Sequence, residues 1–227
     1  MSRDAGDGTT SRISASLFRA PRFPRARVLL FAKAPVTGEV KTRMIPALGA
    51  DGAMRLHRRL LRDTLARLSA AGVAPLELWC APDTGHPLLR RLAETHGLTL
   101  RQQLGQDLGA RLLAASADAL GRAEIVALIG SDCPELDADY LAQAFGALQS
   151  TEVDAVLGPA EDGGYVLLAL RRAEPVLFAG IPWGGDQVAA ITRERMTALG
   201  WRWEELPTLR DVDRPQDLAW YQWPREP

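Results

Sequence analysis

Two lysines, an arginine, a threonine hydroxyl and a glycine crowd the segment Lys33-Ala34-Pro35-Val36-Thr37-Gly38-Glu39-Val40-Lys41-Thr42-Arg43. Phosphate groups are held by backbone N–H donors and by cations that can reach their oxygens. Gly38 lets the backbone approach a ligand, Lys41 is a compact point charge, and Arg43 can grip two oxygens at once. Lys33 and Ala34 open the segment. Neither a Walker A order nor GxGxxG is present, so the composition fits a phosphate loop and a solvated basic turn equally well. Carboxylates follow at three places. Asp132 stands in Gly130-Ser131-Asp132-Cys133-Pro134, Asp162 in Ala160-Glu161-Asp162-Gly163-Gly164, and Asp211 and Asp213 in Arg210-Asp211-Val212-Asp213-Arg214-Pro215. Ser-Asp before proline is common turn chemistry, so Asp132 taken alone reads as a cap. Gly163 and Gly164 permit a tight turn or a close backbone approach to a ligand. Asp213 reads as the N-cap of a terminal helix with Pro215 in its first turn. Trp183 and Asp186 precede another helix, which Asp186 could cap.

The elements that must position these residues alternate along the chain. Val28 to Ala32 and Ile125 to Ile129 are continuous apolar runs, as expected of central strands covered on both faces. Leu76 to Ala81 and a weaker run from Leu98 to Gln102 predict two more strands. Helical spacing begins at Asp51, with Leu61, Leu65 and Leu68 on one stripe and a solvated face of Arg55, Arg59 and Arg62. Further helices are predicted through Leu88 to Leu92, from about Asp107 to Leu120, and through Leu141 to Leu148, with Asp137 and Asp139 at the start of the last. Ala155 to Pro159 and Tyr165 to Leu170 read as a hairpin-like pair, followed by a helix carrying Val188, Ile191 and Leu199. A strand near Trp203 to Leu206 and a short helix from Pro215 to Tyr221 close the pattern. Strands alternating with helices imply an α/β fold with a mostly parallel central sheet flanked by helices and a small antiparallel extension. Ligands of such sheets lie beyond the carboxyl ends of the strands, so the loops after Ala32 and after Ile129 should face one crevice.

Composition narrows the class. Lys plus Arg (27) nearly balances Asp plus Glu (28), so non-specific nucleic-acid binding through a general positive field is not suggested. No apolar run approaches membrane-spanning length. Cys80 and Cys133 are far apart, without a CxxC pair, and fit a reducing cytoplasm. Cys133 should pack as a small hydrophobe. His57, His86 and His96 lack metal-ligand spacing and read as ordinary surface or helix residues. Residues 1–25, rich in Ser, Arg, Gly and Asp, read as a disordered tail; 26–222 form a single domain and 223–227 a short end.

The order of the motifs is itself informative. FAKAPVTGEVKTRMIPALG, IGSDCPEL, LGPAEDGGYVLLAL, IPWGGDQV and LRDVDRPQDL occur in sequence between Ala26 and Leu218. They resemble the motifs of a bacterial glycosyltransferase-like family of the DUF2064 type, related to phospholactate guanylyltransferases. That family lies in the nucleotide-diphospho-sugar transferase superfamily with the GT-A fold. The chain departs from it at Thr37, where the family usually has Pro, and at Gly184-Gly185, where it has Ser-Thr. The resemblance implies a transferase using a nucleotide or nucleotide-sugar donor and a small-molecule acceptor. Its donor phosphates would lie on Lys33, Ala34, Gly38, Lys41 and Arg43, with Lys41, Arg43 and Asp132 catalytic. It implies Mg2+ or Mn2+ on Asp132, with Asp162 or Asp211 as a further ligand, and an acceptor or sugar against Asp162, Gly163, Gly164, Trp183 and Asp186. Nucleotidyl transfer from an NTP to a small phosphorylated acceptor is favoured, because Lys41 and Arg43 suit a departing pyrophosphate. Glycosyl transfer is the alternative, and a non-catalytic nucleotide sensor is the reading of another class.

Overall fold

The computed structural model describes residues 20–223. Seven strands form one sheet in the order β3-β2-β1-β4-β6-β5-β7. They are β1 (Ala26–Lys33), β2 (Leu76–Ala81), β3 (Thr99–Gln102), β4 (Ile125–Ile129), β5 (Ala155–Pro159), β6 (Tyr165–Leu170) and β7 (Trp203–Glu205). Six helices accompany it among the described residues: α1 (Ile45–Ala71), α2 (Pro87–His96), α3 (Leu108–Leu120), α4 (Ala138–Ala147), α5 (Val188–Ala198) and α6 (Leu218–Tyr221).

The continuous apolar character of the inner strands has a direct cause: both faces of the sheet are covered. Val28, Leu30 and Ala32 of β1 share one core with Leu61 and Leu65 of α1, Leu89 of α2 and Phe145 of α4. Leu29 belongs to the opposite core, with Leu112 and Ala115 of α3 and Ala189 and Met196 of α5. The period of two along a strand sends alternate side chains to the two layers. Helix limits follow local signals. Asp107 and Asp137 cap α3 and α4 by accepting from the backbone N–H of Ala110 and Tyr140. Within α1, Gly49 breaks the helical dihedrals (φ 69, ψ 168), so the regular amphipathic helix starts near Asp51, as its spacing predicts.

β1 pairs in parallel with β2 on one side and β4 on the other. That adjacency creates a crevice beyond the carboxyl ends of β1 and β4. The expected antiparallel extension is present. It is the single strand β6, inserted between β4 and β5 and antiparallel to both, while β7 returns parallel to β5. Because β6 runs backwards, its start lies at the edge where β4 and β5 end. The turn Ala160–Gly164 therefore faces the same crevice as Asp132.

A third, smaller core explains the last stretch of chain. Val212 is fully buried among Met44, Leu56 and Leu60, with Trp220 and Tyr221 packed alongside. In an extended segment, neighbours of a buried residue point to the other side, which carries Asp211 and Asp213 toward the first loop. At the amino end, Phe23 is buried against Phe145 and the backbone of Arg22 and Phe23 bonds to Gly72 and Val73, so the fold includes residues ahead of Ala26. The rest of the expected amino-terminal tail, and residues 224–227, lie outside the described residues. Among the described residues no helix is long and apolar enough to cross a membrane.

Candidate active site

Lys41 is the centre of the crevice. Its side chain is 3 % exposed, and its ammonium donates to the Val212 carbonyl (2.6 Å), to Asp132 Oδ2 (2.8 Å) and, more weakly, to Asp213 Oδ1 (3.5 Å). An ammonium has three hydrogens, and here three acceptors meet it. Its backbone is left-handed (φ 48, ψ 41), which for a residue with a Cβ costs on the order of 1 kcal/mol. The three side-chain contacts hold that conformation in place. Burial alone would lower the Lys41 pKa, but Asp132 and then Asp213 outweigh it and the pKa is raised. Asp132 responds in kind. Burial pushes its pKa up, yet Lys41, followed by His57, brings it below the ordinary value. Both groups are charged at neutral pH.

Arg43, two residues on, is 45 % exposed. It donates to Asp213 Oδ2 (2.5 Å) and, through its other terminal nitrogen, to the Gly184 carbonyl (3.0 Å). The role of Gly184 here is that of a backbone acceptor, which requires no hydroxyl at Gly184-Gly185. The N-cap readings of Asp213 and Asp186 are corrected. The Asp213 carboxylate pairs with Arg43 and Lys41, while Asp217 folds back to accept from the Asp213 and Arg214 N–H groups. At α5 the N-cap is Gln187, without a side-chain cap bond, and the Asp186 carboxylate accepts from the Gln187 side-chain amide. Asp186 matters through its backbone: a Cβ on Gly163 would stand 2.1 Å from the Asp186 carbonyl oxygen. Gly163 (φ +87) is thus required by the packing of one loop on another.

These groups surround a cavity of about 650 Å³ whose walls include Lys33, Lys41, Arg43, Asp132, Asp162, Trp183, Asp211 and Asp213. Gly164 lines an adjoining recess. Ala34, Gly38, Gly163 and Asp186 stand outside the lining of both. Three wall residues escaped the sequence reading. His57 is a buried helix residue, not a surface one; its Nε2–H donates to the Lys33 carbonyl, and burial lowers its pKa, so it is neutral at pH 7. Its place on the buried stripe of α1, four residues before Leu61, was the available signal. Gln103 ties the ends of β1 and β2 together through the Ala32 and Trp79 carbonyls. Arg111, on α3, adds a cation beside Leu108. Cys133 is buried and its thiol is pushed up to about 12, so it packs as a hydrophobe.

Four aspartates line the cavity, and the two inner cations, Lys41 and Arg43, pair with only two of them. Among the described residues no three His, Cys, Asp or Glu side chains form a ready-made metal cluster. The chemistry of the donors nonetheless suits a hard divalent cation: all are carboxylate oxygens. Asp132 uses Oδ2 on Lys41, and its Oδ1 accepts only a long bond from the Ser131 hydroxyl (3.4 Å), while the side chain remains 41 % exposed. Asp211 registers the anionic surplus. Burial, then Asp162, raises its pKa from 3.8 to about 6.

That shift has a consequence for stability. An acid with a raised folded-state pKa keeps its proton in the fold after the unfolded chain has lost it, so stability falls as pH rises between the two values. Without divalent ions, Asp211→Asn should therefore melt above the wild type by a margin that grows from about pH 4 to pH 6 and is constant above. The full margin is at most about 3 kcal/mol. Thermal melts of both proteins across that range check it, and a margin independent of pH would contradict it.

Over residues 64–185 the sequence matches the family described as uncharacterized proteins conserved in bacteria, DUF2064. No curated protein sequence matches the chain. Among solved structures, it is similar to a provisionally assigned nucleotide-diphospho-sugar transferase from Desulfovibrio desulfuricans G20, with 31 % identity, 88 % of each chain covered and a TM-score of 0.77. A cytidylyltransferase from Leptospira borgpetersenii shares the fold at 14 % identity, over 86 % of this chain and 83 % of that one, with a TM-score of 0.55. So does glucosyl-3-phosphoglycerate synthase from Mycobacterium tuberculosis, solved with Mn2+, uridine diphosphate and glucosyl-3-phosphoglycerate (14 %, 86 % and 75 %, TM-score 0.53).

Proposed function

The chain belongs to the DUF2064 family, and from that premise we propose that it is a metal-dependent transferase acting on a nucleotide donor. The observation that carries this reading is the convergence of three distant loops on one cavity. The β1 loop brings cations, the β4 end brings Asp132, and the β5–β6 turn brings Asp162, all beyond the carboxyl ends of the strands. Open sheets bind nucleotides at such places. The half-exposed Arg43, with Lys33 on the cavity wall, would hold the donor phosphates. Lys41 has a different part. Its ammonium is spent on Asp132 and Asp213, so it fixes the carboxylates and leaves phosphate contact to its neighbours. Asp132, with Asp162 or Asp211, would hold Mg2+ or Mn2+, which when bound would neutralise phosphate charge.

Nucleotidyl transfer is the favoured reaction. An oxygen of the acceptor's phosphate attacks the α-phosphorus of the NTP, the bond from that phosphorus to the β-phosphate oxygen breaks, and pyrophosphate leaves. Cations along the cavity match the charge that builds on a departing pyrophosphate. The relative at 31 % identity, assigned to the nucleotide-diphospho-sugar transferases, makes sugar transfer the second reading. Product analysis separates them. With each of the common NTPs, Mg2+ and a cell metabolite extract, the expected product is pyrophosphate, and nucleotide-sugars, assayed separately, should give no turnover. A nucleoside diphosphate or monophosphate would replace nucleotidyl with glycosyl transfer. Measured nucleotide binding with neither product would point to a sensor.

A further inference from the structure

Beside the main cavity lies a recess of about 230 Å³ of opposite character. Leu112 of α3, Leu128 and Ile129 of β4, Tyr165 of β6, Val188 of α5 and Trp183 make most of its wall. Phe31, Leu108, Gly130, Asp162 and Gly184 border both spaces, so the two are continuous. The wall is rigidly built. A Cβ on Gly109 would stand 2.2 Å from the Phe178 carbonyl oxygen and 2.9 Å from the Trp183 indole nitrogen, so α3 and the Trp183 segment are in close contact. Tyr165 meets Trp183 edge-on at 6.3 Å between ring centroids. The Tyr165 hydroxyl makes no hydrogen bond with any described residue, and the Asp162 carboxylate stands at the border, so polar groups are few in a mostly apolar wall.

From this we infer that the recess is a specificity pocket taking one apolar ring of the acceptor, whose phosphorylated end stays in the main cavity. The inference rests on the transferase reading above and adds the acceptor's class. Size sets the occupant: an apolar cavity of about 150 Å³ is enough to hold benzene, and this one is larger. Chemistry sets the orientation. Leu108 borders both spaces and Arg111 lies one helical turn further along α3 in the charged one, so a ring against Leu108 leaves its anionic end near a guanidinium. A small polar acceptor such as a triose phosphate would leave this apolar wall uncovered.

Phenyl phosphate and methyl phosphate are the probes, with CTP and GTP titrated separately in the presence of Mg2+. Burying one ring corresponds to at least about a tenfold gain, so wild-type protein should bind phenyl phosphate at least tenfold more tightly than methyl phosphate. Val188→Phe, which fills the recess, should bring that ratio close to one and leave nucleotide affinity unchanged. Should that variant fold poorly, the exposed Leu108→Ser should still lower the ratio about threefold. Equal affinities for both probes in the wild type, or an undiminished ratio in the variant that folds, would overturn the inference. Loss of nucleotide binding in Val188→Phe would also overturn it, by making the recess a slot for the base. Failure of every nucleotide to bind, with the probe ratio intact, would instead remove the transferase reading.

Discussion

Lys41→Met should lower the melting temperature by about 5–10 °C, far more than the same change at Arg43. The two cations stand two residues apart and pair with the same Asp213, yet they do different work. Lys41 is 3 % exposed and binds Asp132, Asp213 and the Val212 carbonyl, so its removal leaves carboxylates facing one another and a carbonyl without its donor. Removing one member of a buried pair costs about 3–5 kcal/mol. Asp132 and Asp213 keep some access to water, which brings the expected cost down to about 2–3 kcal/mol. It also releases Val212, the anchor of the terminal segment against α1. Arg43 is 45 % exposed, and pairs of that kind contribute about 0–1 kcal/mol. Arg43→Met should melt within about 2 °C of the wild type while binding nucleotide poorly. Paired thermal melts decide the matter. A Lys41→Met protein as stable as the wild type would show that its ammonium does not hold the site together.

Sequence patterns revealed what is local and left out what is distant. The apolar runs of β1 and β4 announced buried central strands, and helical spacing from Asp51 and from about Asp107 marked helix starts, because each depends on neighbours a few residues away. The alternation of strands and helices put the loops carrying the cations and Asp132 on one crevice, and both line the same cavity. Pairing order was not legible: nothing in Tyr165–Leu170 says that the strand enters between β4 and β5. Asp213 shows the same limit. As a string, Asp-Arg-Pro looks like a helix start, and only the fold reveals that its carboxylate meets Arg43, 170 residues away. His57 was hidden because a histidine on a helical stripe looks the same whether its ring faces water or the carbonyl of Lys33. The split between Lys41 and Arg43 depends on burial, which residue type alone does not express.

The second large effect concerns Asp132, through which the account joins nucleotide to cation. Asp132→Asn preserves size and a hydrogen-bonding oxygen for Lys41 but removes the charge. Asp213 remains as a counter-ion for Lys41, so the variant should fold. A carboxylate beside bound phosphates repels them unless a cation stands between, so Asp132 should help donor binding only when Mg2+ or Mn2+ is present. Turnover should fall about 100- to 1,000-fold, the scale of losing a metal's stabilisation of developing charge. The most direct measurement is nucleotide affinity as a function of Mg2+ or Mn2+ concentration, by calorimetry, in the wild type and in Asp132→Asn. Affinity is expected to rise with metal in the wild type and hardly to change in the variant. Identical metal dependence in the two proteins would contradict it.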